Sequence, residues 1–171
     1  MKTIPTKINK YNVYNQGNRL LGMGDEVTLP NFEASSETVS GAGVLGEFDD
    51  PTVGYFSNME QEIPFRVMDE EAVDMLDQTK AVQLELRGAQ QTTDSNGDIE
   101  FRPMRVVVRG RMAGFDPGKV KAGNGMETSV KLTVLYILIE LEDQPMVELD
   151  KINEVFKIRG VDVLAKIKEM C

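Results

Sequence analysis

Gly41-Ala42-Gly43-Val44-Leu45-Gly46 matches GxGxxG, a pattern that cradles a dinucleotide pyrophosphate when it joins a buried strand to a helix. Here Glu47-Phe48-Asp49-Asp50-Pro51 follows, and a proline behind two acids does not continue a helix. The glycines read instead as a flexible or closely packed loop. Asp94-Ser95-Asn96-Gly97-Asp98 resembles part of a calcium loop but lacks the bidentate Glu at the right distance. Asn96-Gly97 fits a turn between two strands better. Asp69-Glu70-Glu71 brings carboxylates together, as hydrolytic acid–base chemistry would need, yet it stands at an expected helix start, where carboxylates complement the dipole.

The remaining inventory excludes most catalysis. There is no histidine, so the usual general base near neutral pH and the commonest transition-metal ligand are both missing. Cys171 is the single cysteine, which rules out an internal disulfide, a Cys/His zinc site and a Cys-His nucleophile. No GxxxxGK[ST] loop occurs. Neither catalytic nor metal-binding residues are assigned, no cofactor is expected, and the chain reads as a protein that is not an enzyme.

The positioning elements are mainly strands. The 171 residues suit one domain, 1–171, with 41% hydrophobic and 27% charged residues. No run approaches the roughly 20 apolar residues of a membrane-spanning helix, and Met1-Lys2-Thr3-Ile4-Pro5 has no apolar segment of a secretory signal. Net charge is −9 without a Lys/Arg block, which disfavours gripping nucleic acid through its phosphates. Residues 1–25 read as an extended arm or short strand pair anchored by Ile8, Tyr11, Val13, Tyr14, Leu20 and Leu21. Residues 31–51, rich in small side chains, read as a long loop, either mobile or ordered against a neighbour.

Val53, Tyr55, Met59, Ile63, Phe65 and Val67 share one parity, while Gly54, Asn58, Glu60, Glu62 and Arg66 share the other. That alternation predicts a sheet with one apolar and one polar face, either bending near Ser57-Asn58 or running as one long strand. A helix is expected over 69–79, with Asp69 as cap and Ala72, Val73 and Leu76 on one face. Val82–Arg87 and Phe101–Arg111 form a hairpin around Asn96-Gly97. A loop over 115–125 carries Lys119 and Lys121, and the alternating run Ser129–Val134 opens a long strand ending in apolar Leu135–Ile139. After a turn at Asp143-Gln144 come strands over 146–149 and 152–158, then a C-terminal helix over 160–171. The fold class expected is mainly β (α+β): two packed antiparallel sheets in a sandwich or barrel with a flanking helix.

Several stretches resemble a known family along essentially the full length. They are Lys7-Ile8-Asn9-Lys10-Tyr11-Asn12-Val13-Tyr14-Asn15-Gln16-Gly17-Asn18, Thr28-Leu29-Pro30 and Ser40-Gly41-Ala42-Gly43. Stronger is Met104-Arg105-Val106-Val107-Val108-Arg109-Gly110-Arg111, with Asp116-Pro117-Gly118-Lys119 after it. Lys131–Leu138 and Glu148–Asn153 follow in order, while 161–171 matches less clearly. The chain resembles the major tail tube protein of contractile-tailed phages and R-type tail-like bacteriocins.

The resemblance implies the tail-tube fold, with hexameric rings stacked into a hollow tube inside a contractile sheath. It implies a structural subunit in the tail of a virion or bacteriocin particle, assembled in the bacterial cytoplasm. Implied partners are further copies of the chain and the sheath, tape-measure, baseplate and terminator proteins. DNA would pass without specific binding in a phage, and a membrane would be met only by puncture. Ring contacts are then expected at Ile8, Tyr11, Val13 and Tyr14, at Gly41, Gly43, Val44, Leu45 and Phe48, and at Lys119 and Lys121. The arm's tyrosines and valines read equally well as core. Asn58, Glu60, Glu62 and Arg66 would face the lumen, and removing residues 1–15 would leave a folded monomer that cannot stack. The alternative is a non-polymerising β-barrel component or binding module, such as a terminator or baseplate-proximal tube protein.

Overall fold

The computed structural model describes residues 2–171. Eleven strands and two short helices follow in order: β1 (Ile4–Asn15), β2 (Asn18–Arg19), β3 (Ala34–Ser40), β4 (Glu47–Phe56), β5 (Glu60–Phe65), α1 (Glu70–Asp74), β6 (Val82–Thr93), β7 (Ile99–Asp116), β8 (Thr128–Leu141), β9 (Gln144–Asp150), β10 (Val155–Ile158), β11 (Val161–Asp162) and α2 (Ala165–Met170). All pairings are antiparallel.

The expected two packed sheets take a different form. One nine-stranded sheet runs β11-β10-β9-β8-β7-β6-β1-β2, and β5 joins it on β8. Strand β8 is the branch point. One edge pairs with β7 throughout. The other edge pairs with β5 over 128–133 and with β9 over 136–141. The split coincides with a register shift in which Arg109 faces Tyr136 but Gly110 faces Val134, leaving Leu135 as an extra residue. An extra residue on one strand bends it and increases the local twist, so the sheet folds over itself here.

Two apolar clusters fill the folded sheet. The first joins Val13, Val82 and Leu84 to Ile63, Phe65, Val130 and Leu132, with Ala72 and Met75 of the α1 region. The second joins Val106, Val108, Ile137 and Leu149 to Met59, with Phe32, Phe56 and Phe156 packed against it. Burying each such side chain stabilises by about 1.5–3 kcal/mol relative to exposure.

The alternation read in β5, β6 and β8 holds, with Ile63, Phe65, Leu84, Val130 and Leu132 all buried. The 53–67 run bends at Ser57-Asn58-Met59, and its upstream members Val53 and Tyr55 are exposed. The Asn96-Gly97 turn closes β6–β7 as expected, with the Asp94 carboxylate accepting from the Asn96 and Asp98 amides.

Other expectations are corrected. Most of the 31–51 loop belongs to the β3–β4 hairpin, which among the described residues pairs with no other strand. Its sequence lacks a period because neither face is buried within the subunit. The 69–79 helix is only α1, capped by Asp69, and it buries Ala72 while Val73 stays about half exposed. The turn after β8 sits at Glu142-Asp143, both at positive φ. Arg159 and Gly160 reverse the chain at positive φ, so Val161 pairs back onto β10 and the C-terminal helix begins only at Ala165.

The N-terminal arm is an integral strand. β1 pairs with β6 from Ile4 to Asn15, and Val13 lies 3% exposed inside the first cluster. Deleting residues 1–15 would strip one edge of β6 and open a cavity beside Leu84. The truncated chain is therefore expected to lose its cooperative thermal transition, in contrast to the folded monomer anticipated from sequence. Circular dichroism melts of the two chains check this.

Candidate assembly surfaces

The outward face of the main sheet carries a register-built ionic ladder. Strand alternation places Tyr14 beside Glu85, Arg87 beside Arg105, Arg105 beside Glu140, and Arg109 beside Tyr136, which in turn faces Asp150. Glu85 accepts from Arg87 Nε at 2.6 Å and from Arg105 Nε at 2.8 Å. Arg105 Nη1 continues to Glu140 at 2.7 Å. These Arg87 and Arg105 bonds hold the Glu85 carboxyl below its ordinary range, and Glu85 with Glu140 keeps Arg105 more firmly protonated still. Arg87 and Arg109 each lie 4.7 Å over a tyrosine ring, Tyr14 and Tyr136. Burial, then Glu148, raises the Tyr136 phenol. Isolated surface pairs contribute little, but a shared network also fixes side-chain positions.

Asp150 anchors the far end of this ladder. Its carboxylate accepts from the Ile152 and Asn153 amides, from Asn153 Nδ2 at 2.7 Å and from Arg109 Nη2 at 3.4 Å. Burial pushes its carboxyl up, but the Asn153 and Ile152 bonds and the Arg109 charge outweigh that and hold it below the ordinary value. A depressed folded-state pKa contributes stability above the unfolded value near 3.8 that is lost as pH falls through the folded value. Asp150→Asn is expected to cost about 1.5–3 kcal/mol at pH 7. The gap to wild type should narrow below about pH 4, as urea denaturation at both pH values would show.

Of the residues expected to line a lumen, Glu60 and Glu62 do point from the solvent face of β5. Glu60 lies 3.7 Å from Lys131 Nζ and 3.5 Å from Asn58 Nδ2. Arg66 stands beyond the strand, where its carbonyl accepts the Met126 amide at 2.6 Å. It shares an open cleft of about 810 Å³ with Glu62, Asp116, Lys119 and Lys121. The 115–125 loop thus shares a cleft with two of the expected wall residues, Glu62 and Arg66.

The expected ring contacts divide. Val13 is committed to the core, and Tyr11 packs against the same cluster while its hydroxyl donates to the Asp25 carbonyl at 3.1 Å. Tyr14 lies under Arg87, and Ile8 remains 41% exposed. Gly41, Gly43, Val44 and Leu45 form the tip of the β3–β4 hairpin, where Gly41, Gly43 and Gly46 all hold positive φ. That is the conformational reason for the glycine pattern, and no nucleotide loop results. Leu45 is fully exposed and Phe48 half exposed, so the hairpin offers apolar side chains that its own subunit leaves uncovered.

Sequence reasoning missed the ionic ladder and the hairpin's strand character. The ladder becomes visible only when alternating charges on β6, β7, β8 and β9 are brought into register.

Residues 5–170 match the family model described as phage tail tube protein FII. The chain is also similar to the tail tube protein of Escherichia phage P2, 26% identical over 170 residues that cover 94% of each chain. That family is structural and not one of enzymes. With a β-rich subunit whose hairpin stands free and whose match runs nearly end to end, this chain belongs to the phage tail tube protein FII family.

Proposed function

We propose that this chain is the subunit of the inner tube of a contractile tail, in a phage or a tail-like bacteriocin. Six copies form a ring, and rings stack into a hollow conduit that sheath contraction drives through the target envelope. The agreement of residues 5–170 with the family model carries this reading. The sheet geometry supports it, because joining subunits covers strand edges that would otherwise invite disordered aggregation. The partners are further copies of the chain, the sheath, and the tape-measure, baseplate and terminator proteins.

Glu60, Glu62 and Asn58 form part of the wet wall, which repels phosphates and lets DNA pass without adhering. Negative-stain microscopy of the purified chain tests the assembly: hollow rods or rings of constant diameter are expected, and a persistent monomer at high concentration would overturn it. Retention of linear DNA at moderate salt would contradict the non-adhesive lumen.

A further inference from the structure

The excess of acidic over basic residues in this chain falls in one region. Residues 20–65 hold nine acidic residues and no Lys or Arg, which equals the whole net charge of −9. Residues 1–24 hold Lys2, Lys7, Lys10 and Arg19 and no acid at all. The first region contains the unpartnered β3–β4 hairpin, and the second contains β1.

Register gives each region a matching face. In the hairpin, Glu37 stands opposite Asp50 and Val39 opposite Phe48, so all four share one face. Two carboxylates directly opposed across a strand pair are destabilising, and no basic residue lies within the hairpin to relieve them. On the main sheet, Ile4, Lys7 and Lys10 stand in rows with Thr93, Gln91 and Ala89. Those rows continue to Ile99, Phe101 and Pro103. Bulges after Pro5 and Ile8 keep Ile4, Lys7 and Lys10 on the same face despite their spacing of three. Ile4, Ile99 and Phe101 are 66%, 56% and 60% exposed. One surface is apolar with carboxylates beside it; the other is apolar with ammonium groups beside it.

We infer that the β3–β4 hairpin of one copy docks on the Ile4/Ile99/Phe101 face of a second copy, with Glu37 and Asp50 meeting Lys7 and Lys10. The two surfaces are different parts of the same chain, so the contact is head-to-tail and either closes a ring or propagates along a stack. The lysines neutralise the opposed carboxylates, and Phe48 with Val39 covers the exposed apolar row. The inference rests on the tube function proposed above, since it assigns that assembly its complementary surfaces.

Charge reversal in the full chain tests it. K7E/K10E keeps an intact hairpin but a reversed receiving face, and E37K/D50K the converse. All four positions lie outside the buried core, so both variants are expected to melt like wild type. Each alone should self-associate at least about tenfold more weakly than wild type in sedimentation velocity at low salt, because like charges then face each other. Mixed in equal amounts, the two should associate in alternation, because the intact hairpin meets the intact face and the reversed hairpin meets the reversed face, and added salt should weaken the association. The quadruple variant should regain self-association. Wild-type behaviour of either double variant, a mixture that stays monomeric, or a quadruple variant that stays weak would overturn the pairing. Association in the mixture together with no hollow rods from the wild-type chain would uphold the pairing and overturn the tube.

Discussion

Replacing residues 36–51 with an Asn-Gly turn is expected to give a subunit that folds normally and forms no tubes at any concentration. None of the buried core side chains lies within this stretch. The base of the hairpin survives the excision, because Ala34 still faces Phe56 and the Ser57 amide still donates to the Glu33 carbonyl at 2.8 Å. Phe56 also keeps its edge contacts with Phe32 and Phe156, at ring separations of 5.6 and 5.2 Å. The melting temperature should therefore move by only a few degrees, as expected for about 1 kcal/mol in a chain of this size. Assembly should be lost outright, since Leu45, Phe48 and the carboxylates of the hairpin go together. Microscopy and a thermal melt on one preparation decide it. Tubes of normal appearance would refute the role given to the hairpin.

The second large effect lies at the branch of the sheet. Gly110 sits where β7 and β8 shift register, and a Cβ there would be driven into the backbone oxygen of Thr133. That oxygen has nowhere to go, because Thr133 is paired to Arg111 on one side and Glu60 on the other. Gly110→Val is expected to cost about 3 kcal/mol or more and to lower the melting temperature by roughly 10 °C. Gly114→Ala, four residues along the same strand, serves as control. Its Cβ would meet only Lys131 Cβ at 3.8 Å, an ordinary contact, and a loss below about 1 kcal/mol is expected. Equal losses in the two variants would show that glycine content, not the close approach at the bulge, sets stability here.

What could be read from the sequence follows from where one face of a strand is buried. In β6 and β8 every second residue from Val82 to Leu86 and from Val130 to Val134 turns inward, so the period of two is written in the residue types. The β3–β4 hairpin has no inward face over Ser36 to Pro51, so that stretch carries no period and looks like a loop. β1 misleads for a different reason. Its two bulges break parity between Pro5 and Lys7 and between Ile8 and Lys10, so a strand paired along its length with β6 resembles an irregular arm. Among the assembly candidates, Leu45 and Phe48 were legible as large apolar residues among glycines and acids. Val13 read equally well as core or as a ring contact, because its burial depends on strands 50 to 120 residues away. The ladder from Glu85 to Asp150 required three registers at once.

A two-stranded ribbon unsupported by other layers is marginally stable in water. Before it meets another copy, the β3–β4 segment therefore exchanges with less ordered forms, and fixing it costs conformational entropy at the moment of contact. In the tube proposed above, the first ring would have to order several such ribbons at once, with no preformed surface to receive them. Every later ring would meet a template already in place. The free subunit should accordingly be slow to nucleate and fast to elongate, giving a lag phase in light scattering that pre-formed seeds abolish. Growth without a lag would show that the ribbon is already rigid in the free chain. Tube initiation then becomes a kinetic decision that the tail's own starting complex can control.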